Sequence, residues 1–379
     1  MKTNLHIIAF DIPYPANYGG VIDVFYKIRE LHGAGIGIHL HCFEYQRVPA
    51  PELEQYCLDV HYYPRLTGLL PNLSFKPYIV ASRIHADLTK NLLRDNDPIL
   101  FEGLHTCGML NDKRFRGRFL IYRESNIEHH YYFHLMKAEK NMGKKIFFFI
   151  EGIRLYAFQK ALRHASLMLT VSQEDTRYLQ SVFPDKKIVY LPSFHHNNAV
   201  QILPGRGSYA LYQGKLSVPE NNKAARYLIQ KVWKDHFHEL IIAGLNPPQW
   251  LVQMVQTKSN IRLVPNPSDE AMTRLVQNAH VNIMVTFQST GLKLKLLNAL
   301  YNGRFCLVNP EMVVGTTLEG LCTLARTPED FQDELATLFD QEFGEEKIRQ
   351  RQSILNMYHS NQKNCNLLVN ILTLSERSD

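Results

Sequence analysis

The chain has 379 residues, 45% of them hydrophobic and 21% charged, which at roughly 150 residues per domain is enough for two to three domains with large cores. Its 42 Lys and Arg against 36 Asp and Glu leave a net charge of +6, short of the clustered basic surplus of a nucleic-acid binder and compatible with an anionic ligand or an acidic membrane surface. The longest apolar runs, such as Ile146–Ile150 and Leu167–Val171, fall far below the ~20 residues that cross a bilayer, which excludes a membrane-spanning helix. The first ten residues reach Asp11 too soon for a signal-peptide core and read as a buried strand. Six cysteines, at positions 42, 57, 107, 306, 322 and 365, show no metal-site or disulfide spacing and read as free thiols. The expected compartment is the cytoplasm, with the inner face of a membrane left open.

Strand-length apolar runs alternate with amphipathic helical stretches, the pattern of α/β layers around parallel sheets. The first series runs Leu5–Phe10, a helix over Val21–His32, then Gly37–Phe43, Leu58–Tyr63, a helix over Val80–Arg94, Ile99–Glu102 and Arg118–Arg123. A long helix over Lys144–His164 follows, then Leu167–Val171, a helix over Glu174–Val182 and a strand over Lys187–Leu191. The stretch Pro192–Gly207 is polar and rich in breakers. The second series has strands Tyr209–Tyr212, Glu239–Ala243, Ile261–Val264, Val281–Val285 and Phe305–Val308, with helices between them. Two more helices, Phe331–Leu338 and Glu345–Asn370, end the chain. The expected division is a Rossmann-like domain over 1–195, a linker over 196–207, a second Rossmann-like domain over 208–345 and a helical tail over 346–379. Neither series carries the Gly-x-Gly-x-x-Gly or Gly-x-x-x-x-Gly-Lys fingerprint, which removes most support for a dehydrogenase or a P-loop triphosphatase.

Three strand-to-helix turns carry groups suited to an anion. In the first, Gly19 and Gly20 precede a helix and can bring backbone N–H groups close to a phosphate, or serve only as a helix entry. In the second, Tyr209–Asn222, Gly214 and Lys215 follow a strand. In the third, Gln288, Ser289, Thr290, Gly291 and Leu292 open a helix that Ser289 or Thr290 can cap; Lys293 adds charge at its start, and Gly303 falls at the expected C-cap.

These turns resemble those of the GT-B glycosyltransferases, in particular retaining family four. That family has a Gly-Lys-Leu-type turn and a Gly-x-Lys-x-Lys-x-Leu-Glu-Ala-Met-Ala-x-Gly segment, here Gly214-Lys215-Leu216 and Gly291 to Gly303. The stretch Tyr14 to Gly20, the Val171-Ser172-Gln173-Glu174-Asp175 motif and Asn126-Ile127-Glu128 agree in order, so the resemblance spans roughly residues 5 to 310. It implies two Rossmann-like domains facing across a cleft, with the last helix packing back on the first domain. It also implies transfer of a sugar from a nucleotide-diphosphate donor to an acceptor hydroxyl with retention, in glycan or polysaccharide biosynthesis. On this resemblance Gly19, Gly20, Gly214, Lys215 and Lys293 approach the diphosphate, Gln288 to Leu292 cradle phosphate and sugar, and Asn298 faces the ribose. Asn298 replaces the usual Glu and offers no carboxylate, and Glu220 and Asn221 stand where a second basic residue is expected.

His105, in Phe101-Glu102-Gly103-Leu104-His105-Thr106, is the candidate for contact with the donor sugar, against a structural histidine. Glu124 and Glu128 are acceptor-side candidates, against a surface-loop or interdomain ion-pair role. Asp95-Asn96-Asp97 precedes Pro98 and a strand and reads as a turn, so the site is expected to need neither a metal nor a cofactor beyond the nucleotide sugar. The basic, aromatic segment Lys144–Lys160 reads as a helix buried in the first domain, with contact to a membrane carrying a lipid-linked acceptor as the other reading. No nucleic-acid partner is expected. Two rival functions stand beside transfer: a sugar-nucleotide epimerase, and a catalytically silent binding module of the same fold.

Overall fold

The computed structural model describes residues 3–233, 238–287 and 293–376. They form two compact units, one of residues 3–196 and 359–376, the other of residues 197–287 and 293–358 apart from 234–237. The first unit holds seven strands: β1 (Asn4–Ala9), β2 (Gly37–Glu44), β3 (Asp59–Pro64), β4 (Ile99–Glu102), β5 (Leu120–Arg123), β6 (Leu167–Thr170) and β7 (Lys187–Tyr190). They lie in the order β3-β2-β1-β4-β5-β6-β7, every pair parallel. The second unit holds β8 (Tyr209–Gln213), β9 (Glu239–Gly244), β10 (Ile261–Pro265), β11 (Val281–Met284), β12 (Phe305–Val308) and β13 (Thr323–Leu324). Their order is β10-β9-β8-β11-β12-β13, again parallel throughout. All twelve expected strands are present, and both sheets reverse strand order at one point, β1/β4 and β8/β11. Ligands of such sheets bind outside the carboxyl ends of the strands at that reversal.

Side chains alternate across each sheet and feed separate cores. From β1, Leu5, Ile7 and Ala9 enter one core with Val24, Ile28 and Leu31 of the first helix, Gly19–Gly33. Ile8 enters the other, with Phe43, Phe101 and Leu155. In the second unit Tyr212 and Ile242 point into one core and Leu211 and Ile241 into another.

Four charges lie wholly inside the first unit: Asp23, Lys27, Glu102 and Arg123. Lys27 donates to Asp23 at 3.1 Å and to Glu102 at 2.6 Å, and Arg123 donates to both carboxylate oxygens of Asp23 at 3.3 Å. Arg123 also reaches the carbonyls of Thr170, Leu191 and Pro192, and the Phe194 N–H donates to Asp23 at 2.7 Å. Burial alone would raise the Asp23 pKa, but Arg123 and Lys27 hold it down to about 2. The network thereby pins the first helix, the ends of β4 to β6 and the segment after β7 to one point.

The structure corrects several local expectations. The stretch 80–94 is two short helices, Tyr78–Ala81 and Ala86–Leu92, because Ser82 and Arg83 turn inward between them. A helix over Glu128–Ala138 was not expected; its three aromatic residues and three histidines hide the helical period. The helix Met142–Phe158 is not buried. It meets Glu128–Ala138 along a face where Gly152 lets Phe133 in, and leaves Ile146, Phe147, Phe149, Ile150, Ile153 and Tyr156 exposed. The final helix is two, Glu345–Tyr358 in the second unit and Asn361–Glu376 in the first, divided where Asn361 exchanges hydrogen bonds with the His195 backbone. Asn361–Glu376 packs on the first helix, as expected, with Cys365 bonded to the Glu30 carbonyl. All six cysteines are free, and among the described residues no helix is long and apolar enough to cross a membrane.

Removing one member of a buried charge network leaves its partners uncompensated, so Asp23→Ala is expected to cost about 3–5 kcal/mol in denaturant unfolding. Breaking the exposed Arg262–Glu239 pair should cost at most about 1 kcal/mol. With a folded pKa of about 2 against an ordinary 3.8, the Asp23 contribution is present above 3.8 and lost as pH falls toward 2.

Candidate functional site

The carboxyl ends of β1 and β4 carry the candidate residues of the first unit. After β1 the Asp11 carboxylate closes the turn, accepting from the Ile12 N–H at 2.9 Å and from the Tyr18 hydroxyl at 2.6 Å. Tyr18 is the extended N-cap residue of Gly19–Gly33 and makes no side-chain cap, so the helix entry through Gly19 and Gly20 leaves backbone N–H groups without that partner. A Cβ on Gly20 would stand 2.5 Å from the Phe10 ring, so the absence of a side chain there is a packing requirement as well. Phe10 in turn lies against the His105 imidazole, ring centroids 5.2 Å apart.

His105 follows Gly103, whose φ of 74° makes the sharp exit from β4. Burial, with Arg83 and Arg65 nearby, pushes the His105 pKa well below 6.5, so the ring is neutral. Its Nδ1 is buried without a hydrogen-bond partner, 3.8 Å from Glu128 Oε1. Glu128 starts the helix Glu128–Ala138, and burial pushes its pKa up to about 8 against the pull of Arg83. A protonated carboxyl thus sits beside a neutral imidazole. The sequence offered no sign of Arg83, a buried guanidinium that donates to the carbonyls of Phe10 and Ile79. Its value lies in one long-range contact that no local pattern encodes.

Glu124 lies apart from this group. It is fully buried just beyond β5, accepts from the Val171 N–H at 3.3 Å, and leaves Oε1 unpartnered. Burial and the neighbouring Asp175 raise its pKa well above the carboxylate range. The surface-loop reading of Glu124 therefore fails. In the Val171–Asp175 motif, Ser172 caps the helix Gln173–Val182 by accepting from the Asp175 N–H at 3.0 Å.

The second unit carries its own candidate residues at the ends of β8 and β11. The turn after β8 presses on the end of β9: a Cβ on Gly244 would fall 1.7 Å from the Gly214 carbonyl oxygen, so only glycine fits. Two backbone bonds, Gly214 N–H to Ala243 and Leu216 N–H to Leu245, fix that turn. Lys215 is left exposed, and among the described residues its ammonium has no partner. Lys295 is covered: it donates to Asn221 at 3.3 Å, its ammonium lies 5.7 Å from the Tyr212 ring centroid, and burial lowers its pKa against the pull of Glu220. Glu220 accepts a hydrogen bond from the Thr286 hydroxyl.

The helix after β11 is Leu294–Asn302, with Lys293 at the N-cap position. Gln288, Ser289, Thr290, Gly291 and Leu292 lie outside the described residues. Asn298 Oδ1 accepts from Asn302 Nδ2 at 2.9 Å, and the same amide donates to Asn197 at 2.7 Å. Gly303 caps the helix as expected, and a Cβ there would meet the Asn282 side chain at 2.2 Å. The structure thus gathers Gly20, His105 and Glu128 in the first unit and Gly214, Lys215 and Lys293 around β8/β11 in the second, with Glu124 outside both groups.

No protein-family model matches the chain. A Klebsiella pneumoniae protein described as an uncharacterized 44.6 kDa protein in the cps region is 25% identical over 322 residues, covering 79% of this chain and 81% of that one. Among solved structures, sucrose-phosphate synthase from Thermosynechococcus elongatus is similar at a TM-score of 0.70 and 12% identity, covering 100% of both chains. TarM is similar at 0.69 and 9% identity, covering 98% of this chain and 99% of its own. Anabaena HepE, solved with UDP and glucose, is similar at 0.65 and 12% identity over 98% and 99%. The chain has the GT-B fold of these glycosyltransferases.

Glu128 is raised above its unfolded pKa, so its contribution to stability is full below about 4.5 and lost as pH rises toward 8. Glu128→Gln keeps the neutral shape without that titration. Thermal unfolding of the two proteins across this range is expected to show the variant gaining on the wild type as pH rises; a constant difference would mean that Glu128 ionises normally.

Proposed function

We propose that the protein is a glycosyltransferase that moves a sugar from a nucleotide-diphosphate donor to an acceptor hydroxyl, with retention, in the biosynthesis of a polysaccharide. The observation that carries this reading is the β8/β11 reversal of a GT-B fold. There, the turn after β8, packed against the backbone of Gly244, exposes Lys215, and Lys293 stands at the N-terminus of a helix. Fixed cations and helix N–H groups stabilise charge as it develops on a departing diphosphate, without reorganisation at the moment of reaction. The cps-region relative and the UDP complex of HepE support a nucleotide sugar and a polysaccharide product.

In this scheme Gly19 and Gly20 present backbone N–H groups to the diphosphate, as do Gly214 and the segment Gln288 to Leu292. His105, neutral and hydrogen-bonding, meets the donor sugar, and Glu128 beside it supplies a protonated carboxyl on the acceptor side. Asn298 binds the ribose through its amide. The bond from the anomeric carbon to the diphosphate oxygen breaks, the acceptor oxygen bonds to that carbon, and the acceptor proton leaves with the diphosphate. The scheme uses no metal.

The exposed face of Met142–Phe158, with Phe149, Ile150, Ile153 and Tyr156 beside Lys144 and Lys145, suits the surface of an anionic membrane where a lipid-linked acceptor resides.

Calorimetric titration with UDP tests the donor site. Lys215→Ala and Lys293→Ala are each expected to weaken binding at least about tenfold with the fold intact, a loss of about 1.4 kcal/mol. Unchanged affinity in both would remove the assignment. Flotation with vesicles containing phosphatidylglycerol tests the membrane face: the wild type should float, and a Phe149→Asp, Ile150→Asp double variant should not.

A further inference from the structure

The first unit's sheet carries a second polar cluster at the edge opposite its candidate site. On the face that holds Ile8, Phe43 and Tyr63, the amino-terminal ends of the strands present a row of imidazoles: His6 from β1, His39 and His41 from β2, and His61 from β3. Ring centroids stand 4.7 Å apart for His6 and His39, 5.2 Å for His6 and His41, and 5.2 Å for His41 and His61. The turn before β4 adds Asp95 and Asp97. Nε2 of His6 lies 2.9 Å from Asp95 Oδ1 and 3.1 Å from its Oδ2, and Nε2 of His39 lies 4.0 Å from Asp97 Oδ2. One donor atom from each of His6, His39, Asp95 and Asp97 falls within 4.8 Å of the other three.

The surrounding hydrogen bonds orient these atoms. His39 Nδ1 meets Asp59 Oδ2 at 2.7 Å; a carboxylate only accepts, so Nδ1 carries a proton, and Nε2 is the ring nitrogen left to bind a cation beside Asp97. His6 Nδ1 contacts His41 Nε2 at 2.9 Å, and His41 Nδ1 contacts the Tyr63 hydroxyl at 2.9 Å, which also accepts from Asn91. Without a cation His6 Nε2–H donates to Asp95; because His41 and Tyr63 can each accept, the chain lets His6 move that proton to Nδ1 and offer Nε2 to a cation. Asp95 Oδ1 is engaged by Arg118 at 2.9 Å and by the Asp97 N–H at 3.0 Å, which leaves Oδ2 as the ligand atom. Metal-binding histidines characteristically give their second N–H to such a partner, which fixes the tautomer and the ring plane.

We propose that His6, His39, Asp95 and Asp97 form a binding site for one divalent transition-metal ion, best matched by zinc. Two imidazoles and two carboxylates suit zinc, whereas calcium and magnesium favour all-oxygen shells. Metal–ligand distances of about 2.0–2.2 Å put the edges of a tetrahedral shell at about 3.3–3.6 Å, and the 3.1 and 4.0 Å separations bracket that value. The ion would tie β1, β2 and the turn before β4 together at the far edge of the sheet. Its role is structural and separate from sugar transfer.

The test uses the full chain stripped with a chelator, dialysed against zinc chloride and analysed for metal, with thermal unfolding alongside. The expected result is one zinc per chain and a higher Tm with zinc than without. His39→Gln and Asp97→Asn, both at partly exposed positions, should melt like the stripped wild type and lose both the zinc and the shift. Asp59→Asn, which touches only His39 and His61, should weaken zinc binding by about 10–100-fold. A wild type that retains no zinc would overturn the proposal, as would His39→Gln and Asp97→Asn variants that both retain it.

Discussion

Four charges closed away from water set the geometry of the first unit. Asp23 and Lys27 stand one helical turn apart on the first helix, Glu102 ends β4, and Arg123 ends β5. Two positive and two negative groups balance, and each finds hydrogen-bond partners in the others or in backbone carbonyls. Such a cluster is no stronger than a well-packed apolar core of equal size, but it tolerates few alternative arrangements. Glu102 ends the strand that leads into the turn carrying His105, and Asp23 follows Gly20 by three residues on the first helix.

The second unit reaches a comparable end by different means. There the carboxyl ends are registered by backbone contact, Gly214 against Gly244, and by the cover that Tyr212 and Asn221 give to Lys295. Around His105 and Glu128 burial favours neutral groups, whereas in the second unit Lys215 stays exposed. The proposed transfer assigns the neutral groups to the sugar and the cationic turns to the diphosphate.

The strands and turn glycines were readable because they follow local rules: period-two apolar runs, and glycine where backbone approaches backbone. All twelve strands rest on the first rule, and Gly214 and Gly303 on the second. The buried charges were not readable. Periodicity assigns Lys27, Arg83, Glu102 and Arg123 to solvent, and only contacts across tens of residues bring them inside. The histidine row escaped for the same reason: His6, His39 and Asp97 have no ligand spacing in the chain, and parallel pairing alone makes them neighbours. The apolar run in Met142–Phe158 was read as core, but its partner helix covers only one face.

The central claim is that these two sheet reversals serve a nucleotide-sugar donor. A thermal-shift screen against uridine, guanosine and adenosine diphosphate sugars tests it most directly, because a ligand that binds only the folded chain raises its apparent stability by mass action. The account predicts a rise in Tm, growing with concentration, for at least one of these donors and its absence in Lys293→Ala. No shift with any of them, or a shift that survives in Lys293→Ala together with Lys215→Ala, would contradict it.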